Sequence, residues 1–568
     1  MGRRLYSQNA WSPMSRYAYL PLAVLGLGPA AFAQQPPSAG GQFQQIPPAP
    51  VAPRAPPEIR IQPQTAPDAG AGDQTKVMVR ALQVTGARVY SEAELIALTG
   101  FRPGSELSLP DLRQMADRIT SHYRANGYFV AQAYLPAQEV KDNVVTIAVS
   151  EGQYGAFNLR NSTSLSDRLV RSELAGLNIG DPIVTAPLEQ RLLLLSDLPG
   201  VNVKSTLVPG ASVGTSDLIV DVTPGKRISG SVYADNAGNP YTGEIRVGAN
   251  INLNSPLGLG DVASLNLLTS GKGLRYARAS YQVQVGRAQV GVAYSKLDYS
   301  LGKEFESLQA HGTAEIGSIF ARYPLIRSRN SNLYVQLEYD AKKFQDRVDS
   351  VPSVTDKKSH VWVTSLYGDE SDTLGGGGQS SYGLSWSSGT LDIQTPSVRA
   401  ADATTAQTNG RFNKLGFNAS RVQNVGGPFS VSAAINGQVA SKNLDVSEKM
   451  ELGGMNGVRA YPEGEAYADE GYLLTLEGRM ALPNVWDSVP GRVQLIAFVD
   501  SGSVRINHSP WAGGENRRTL SGAGVGINWS DPGNFSVRAS YARKLGSEKA
   551  TSSPDKSGRF WIQLVKFF

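Results

Sequence analysis

Ala277-Arg278-Ala279-Ser280-Tyr281-Gln282-Val283-Gln284-Val285 alternates apolar and polar residues without a break. Successive side chains of a strand point to opposite faces, so Ala277, Ala279, Tyr281, Val283 and Val285 share one face and Arg278, Ser280, Gln282 and Gln284 the other. The same dyad recurs in Leu333 to Tyr339, Val431 to Val439 and Phe535 to Tyr541. From Arg227 to Phe568 strand-length segments follow one another, and the spacing predicts no helix there. A soluble sandwich would also alternate. Three features favour a wall with lipid outside and water inside: an export signal, aromatic residues ending several apolar faces, and a last strand, Phe560 to Phe568, that closes on an aromatic residue. At about ten residues per crossing, plus turns, the region holds roughly 14 to 18 strands. The expected fold is an all-β transmembrane barrel of about 16 antiparallel strands.

Composition narrows the chemistry. The 568 residues include no cysteine, which removes disulfides, thiolate metal ligands and a cysteine nucleophile. The four histidines, His122, His311, His360 and His508, lack metal-ligand spacing, so no metal, no cofactor and no catalytic residue is assigned. A net charge of +5, with basic and acidic residues dispersed, argues against nucleic acid as a partner. The glycines Gly375 to Gly378 lack the following helix with Lys and Ser/Thr that a phosphate cradle needs, and read as a flexible loop.

Residues 1–33 carry Arg3, Arg4 and Arg16, an uncharged apolar stretch and the small-residue ending Ala31-Phe32-Ala33, the pattern of a secretory signal cleaved before Gln34. Residues 34–75 are proline-rich and read as an extended, mobile linker. Within it Ser38 to Ile46 is proline-free, a candidate plug segment, though short for a helix and carrying Gly40 and Gly41. Residues 76–151 then run β-α-α-β-β: a capping box at Ser91 opens a short helix, and Ser108 and Pro110 open a longer one with Leu112, Met115, Ala116, Ile119 and Tyr123 at helical spacing. The same order recurs over 152–226, with Leu188, Leu192 and Leu195 as a core stripe. Two small α+β domains thus precede the barrel, residues 227–568.

Parity along Gln494-Leu495-Ile496-Ala497-Phe498-Val499-Asp500 puts Leu495, Ala497 and Val499 on the lipid face and Asp500 on the inner one, where a carboxylate is tolerated. Upstream lies Met450-Glu451-Leu452-Gly453-Gly454-Met455-Asn456-Gly457-Val458-Arg459-Ala460-Tyr461-Pro462-Glu463-Gly464. With the two repeats and the terminal Phe568, these stretches resemble the outer-membrane transporters of two-partner secretion, the haemolysin secretion/activation and filamentous-haemagglutinin transporter family, within the superfamily that includes barrel-assembly insertases. The resemblance spans Lys76 to Phe568. It implies that the repeats are periplasmic POTRA domains and that a loop around 450–470 folds into the barrel with Val458, Arg459, Ala460 and Tyr461 at its tip. Arg459 is the natural two-point partner of Asp500. Glu477 and Arg479, also inward by parity, read as ordinary lumen charges. Ala460 stands where the family motif has glycine, and a positive φ there would strain it. Phe568 is the expected barrel-assembly signal, and Lys566, on the lipid-facing side, has to snorkel.

The function so implied is passive export: a large β-helical exoprotein docks on the POTRA domains and crosses the lumen without ATP. Expected partners are that client, outer-membrane lipid and, during biogenesis, the barrel-assembly machinery, with the transporter a monomer. An insertase for outer-membrane barrels is the alternative within the superfamily, and two repeats instead of a longer array favour the exporter. A simple porin needs no periplasmic part of this size, and a barrel-borne hydrolase would rest on His508-Ser509 alone.

Overall fold

The computed structural model describes residues 36–52, 58–61, 75–483 and 490–568; the secretory signal expected at 1–33 lies outside the described residues. Sixteen antiparallel strands, from Ile228–Asp235 to Gly558–Phe567, close into one barrel with each strand paired to its neighbours in sequence. The alternation is that of a wall with two solvents: along Ala288–Ser300, Leu297 and Tyr299 are buried inside while Val290, Val292 and Tyr294 are exposed outside. Among the described residues no helix is long and apolar enough to cross a membrane. The ring closes where Ile228–Asp235 meets Gly558–Phe567 through only five register pairs, Ser231↔Phe567 to Asp235↔Gln563, against eighteen between Ser331–Val348 and Ser353–Asp372.

Before the barrel stand the two α+β units. In the first, Ser91 caps helix Glu92–Thr99 by accepting from Glu94 N–H, and a capping box between Ser108 and Asp111 opens helix Leu109–Ala125. The Ser108 hydrogen bonds hold the Asp111 carboxyl below its ordinary range. Leu112, Ala116, Ile119 and Tyr123 pack on Leu82, Val84, Val145 and Ile147 of the sheet. Tyr123 donates to Glu151 at 2.8 Å, and burial with that carboxylate raises the phenol's pKa. The unit also contains a strand the pattern does not predict, Ser105–Ser108, pairing with Lys76–Val79.

The second unit comprises strand Gln153–Asn161, helices Asp167–Glu173 and Thr185–Asp197, and strands Val201–Pro209 and Thr215–Pro224. Leu188, Leu192 and Leu195 are fully buried in its core. Its fourth strand comes from elsewhere: Glu58–Ile61 of the linker pairs in parallel with Lys204 to Leu207 at the sheet edge. This unit is clamped to the barrel rim. Arg327 forks onto Asp197 at 2.7 and 2.8 Å, Arg329 reaches Glu189 at 2.8 Å, and Ser255 Oγ donates to the Pro199 carbonyl. The rim turns 255–261 and 328–330 therefore lie at the end of the barrel that faces the α+β units.

Three expectations need correction. The candidate plug stretch Ser38 to Ile46 departs from the extended linker expected for 34–75: Ala39–Gln44 is a helix inside the barrel, with Ala39 to Gln42 buried, while residues 46–52 carry no regular element. Its propensity is poor, and the lumen holds it instead. Ser38 caps it, Asp346 accepts from Ala39 N–H at 2.7 Å, and Thr242 Oγ1 donates to Gln42. Second, Pro396–Thr404 is a helix in the loop that follows strand Gly378–Ile393. It is mostly exposed and carries no apolar stripe, so periodicity could not reveal it. Third, the Gly375–Gly378 region is a closed turn, because Gln423 Nε2 donates to the carbonyls of Leu374, Gly375 and Gly377.

Candidate functional site: the inward-folded loop and the plug

Strands Phe429–Ala440 and Glu470–Ala481 are joined by residues 441–469, which fold back into the barrel. At the tip Val458, Ala460 and Tyr461 are fully buried and Arg459 nearly so. Arg459 Nε and Nη2 donate to the two oxygens of Asp500 at 2.8 and 2.7 Å, and its backbone N–H adds a third bond to the same carboxylate at 3.2 Å. Nη1 donates to Glu477 at 2.8 Å, and Glu477 in turn accepts from Arg479. The guanidinium lies 3.3 Å from the centre of the Phe498 ring. A planar five-donor cation suits this site, and a lysine could not make the same fork. Trp561 Nε1 donates to the Arg459 carbonyl at 2.7 Å, Thr475 Oγ1 to Asp500 at 3.1 Å, and Tyr461 O–H to the Glu548 carbonyl at 3.0 Å. The tip is thus tied to strands Glu470–Ala481, Arg492–Arg505 and Gly558–Phe567.

The structure brings Val458, Arg459, Ala460, Tyr461 and Asp500 together, with Leu495 and Val499 exposed on the outer face as parity requires. Glu477 is more than the ordinary lumen charge expected, since it is the second carboxylate on Arg459. Ala460 has no positive φ and carries no backbone strain; its methyl instead sits against Gly522, where an added Cβ would fall 2.6 Å from it. Phe498 and Trp561 could be found only by parity along their own strands. Phe568 lies at the seam, exchanging backbone hydrogen bonds with Gly230 at 3.1 and 3.2 Å, and Lys566 reaches the Asn534 side chain in the adjacent rim turn. His508 Nδ1 lies 2.6 Å from Glu470 Oε1, and Ser509 N–H donates to Asn443.

At the base of the loop a second cluster faces the plug. Asp445, Ser447 and Glu448 are buried on a short 3₁₀ turn. Glu448 meets Lys342 at 2.8 Å and Lys414 at 2.9 Å, and Asp445 meets Lys357 at 2.6 Å. The helix Ala39–Gln44 rests on this turn. A Cβ added to Gly40 would lie 2.8 Å from the Ser447 Cβ, so the Gly40-Gly41 pair that weakens the helix is what lets it approach. Tyr467 accepts from Gln45 Nε2 at 2.6 Å and donates to the Gly41 carbonyl at 3.2 Å, while Arg246 donates to the Gln45 carbonyl at 2.9 Å. Ser231 Oγ donates to the Pro50 carbonyl, so the chain leaves the helix along the inner wall.

A family model of the haemolysin secretion/activation proteins ShlB/FhaC/HecB matches residues 214–529, and one of the ShlB-type POTRA domain matches 77–152. The chain is similar to the heme/hemopexin transporter protein HuxB of Haemophilus influenzae, 32% identical over 472 residues that cover 82% of each chain. It is 23% identical to the outer membrane transporter CdiB of Dickeya dadantii over 453 residues, 76% of each chain. In fold it resembles CdiB from Escherichia coli with a TM-score of 0.66 at 20% identity, covering 89% of this chain and 93% of the other.

Proposed function

Because the chain belongs to the ShlB/FhaC/HecB family of haemolysin secretion/activation proteins, the outer-membrane transporters of two-partner secretion, we propose that it captures an extended segment of one large exoprotein on its periplasmic POTRA units and passes it through the lumen. The observation that carries this reading is the edge strand Val201–Pro209, which already accepts an extended peptide, the chain's own Glu58–Ile61. Once Glu58–Ile61 is displaced, this edge offers a row of backbone donors and acceptors, and an unfolded client can pair with it residue by residue. The lumen holds Ala39–Gln44 by hydrogen bonds from the wall and from the inward loop, so beside that loop the path is filled by a removable segment. No nucleotide-binding loop occurs in the sequence, and folding of the client outside supplies direction.

The domain limits follow the same reading: 76–151 and 152–226 as the two POTRA units, 227–568 as the barrel, one copy per channel, with the barrel-assembly machinery meeting the Phe568 end. The loop tip, Val458 to Tyr461 on Asp500, acts as a lock that keeps the loop on the wall. Deleting Lys76 to Pro224 should leave a barrel that inserts and conducts ions yet exports no exoprotein, read by client in the medium against conductance in planar bilayers. Export that survives the deletion would sink client docking on these units.

A further inference from the structure

Two lysine pairs, Lys342-Lys343 and Lys357-Lys358, sit side by side on neighbouring strands of the barrel. Alternation sends the first member of each inward, where Lys342 meets Glu448 and Lys357 meets Asp445. The second members point outward, are exposed, and stand directly opposite each other in register, Lys343↔Lys358. Like charges placed so repel. On their other sides the register places Glu315 opposite Lys343 and Asp392 opposite Lys358, but these carboxylates turn to Lys296 at 3.7 Å and Arg399 at 3.5 Å, and Asp356 holds Arg347 at 2.8 Å. Among the described residues neither Lys343 nor Lys358 has a carboxylate within ion-pair distance.

Their height on the wall identifies what meets them. The outward residues Leu333, Val335, Leu337 and Tyr339 mark the lipid contact on strand Ser331–Val348, whose first residues adjoin the periplasmic rim. Lys343 comes ten residues after Leu333, about 34 Å along the strand and about 26 Å along the barrel axis at a tilt of about 40°. An outer-membrane apolar band is about 25 Å tall. The two ammonium groups therefore sit at headgroup level in the extracellular leaflet. About 10 Å below them along the axis Tyr339 and Trp362 form an aromatic shelf, their rings 4.9 Å apart, with the Tyr339 hydroxyl 2.9 Å from His360 Nδ1.

We propose that Lys343 and Lys358, above the Tyr339 and Trp362 shelf, form a docking site for the phosphorylated, acylated disaccharide of the extracellular leaflet, lipid A. A phosphate monoester carries about −1.5 to −2 at neutral pH and can answer two ammonium groups at once. The phosphodiester of a glycerophospholipid carries a single charge and matches them less well. The acyl chains run down the apolar face, and the sugar rings lie over the aromatic shelf.

The test uses the full-length protein in detergent, with native mass spectrometry reading retained lipid. It is titrated separately with bisphosphorylated lipid A, with the same lipid A after enzymatic dephosphorylation, and with phosphatidylglycerol. Binding of the bisphosphorylated form should be at least tenfold tighter than either of the others. K343Q/K358Q should weaken it at least tenfold, whereas K272Q, at an exposed lysine of the extracellular turn 270–273 away from the site, should change it less than twofold. Heat-dependent gel mobility verifies that each variant is a folded barrel. Equal retention of the dephosphorylated lipid, equal retention of phosphatidylglycerol, or undiminished binding by folded K343Q/K358Q would overturn the site. Should the double variant not fold, the three lipids compared on the parent protein still decide.

Discussion

The tip and the base of the inward loop are both buried ionic clusters, yet they are built differently. At the tip one arginine is held by two carboxylates from two neighbouring strands, Asp500 and Glu477, and all of its partners belong to the loop or the wall. At the base two carboxylates, Asp445 and Glu448, are held by three lysines, and the plug helix lies on top of them. A guanidinium fork fixes orientation, whereas ammonium groups on flexible stems act as point charges that can re-pair. The tip is suited to hold the loop, and the base to release something resting on it.

Breaking the tip should give the largest effect. Removing one member of a buried pair costs about 3–5 kcal/mol because the survivor is left charged and unpaired. Arg459→Ala and Asp500→Ala are each expected to impair export severely while the barrel still inserts, and the double variant to be no worse than the poorer single. Charge reversal of both should recover part of the export. Strictly additive losses, or full export by either single variant, would show that the pair is no lock.

Next in size is the base. Gly40→Val forces a side chain into Ser447, so the helix should leave and the open-channel conductance in planar bilayers should rise severalfold with the tip untouched. A conductance equal to the parent's would mean that the helix does not obstruct the pore. Glu448→Gln should raise conductance less, since Lys342 keeps a carboxylate neighbour in Asp340 at 3.8 Å. An increase matching that of Gly40→Val would make Glu448 the main anchor of the plug.

The smallest effect is expected outside the lumen. Glu173, buried in the second POTRA unit, has its pKa raised by burial, only partly countered by Arg287 and Arg191. A carboxyl raised on folding stabilises the fold below its unfolded pKa and loses that contribution as pH rises through the folded value. Glu173→Gln should therefore be near neutral at pH 4 and slightly stabilising at pH 7, seen as slower hydrogen exchange of helix Asp167–Glu173 relative to the parent. Faster exchange at pH 7 would mean that the ionised form is the favoured one.

What could be read from the sequence was what depends on local period. The two-residue alternation of Ala277 to Val285 and the parity that turns Asp500 inward survive in any strand, whatever its neighbours. Helices with caps, such as Glu92–Thr99 behind Ser91, were equally legible. The plug was not, because Ala39-Gly40-Gly41-Gln42-Phe43-Gln44 has no strong helical preference and depends on Asp346, Ser447 and Tyr467, hundreds of residues away. Nor was Glu58–Ile61, a strand made by the edge it joins. The base cluster left one trace, the twin lysine dipeptides, which parity alone would have split between lumen and lipid.

The five-pair closure between the first and last barrel strands has a mechanical consequence. Hoop tension in a closed ring is the same at every joint, so a polypeptide swelling the channel from within loads all sixteen ladders alike. The one with fewest rungs yields first, and it is reinforced only at its ends, by the Gly230 and Phe568 backbone pair on one side and by Asn236 bonding to Phe560 and Ile562 on the other. A cargo too thick for the bore would therefore split this cylinder along a known line, beside Trp561, which carries both a seam strand and a hydrogen bond to the loop tip.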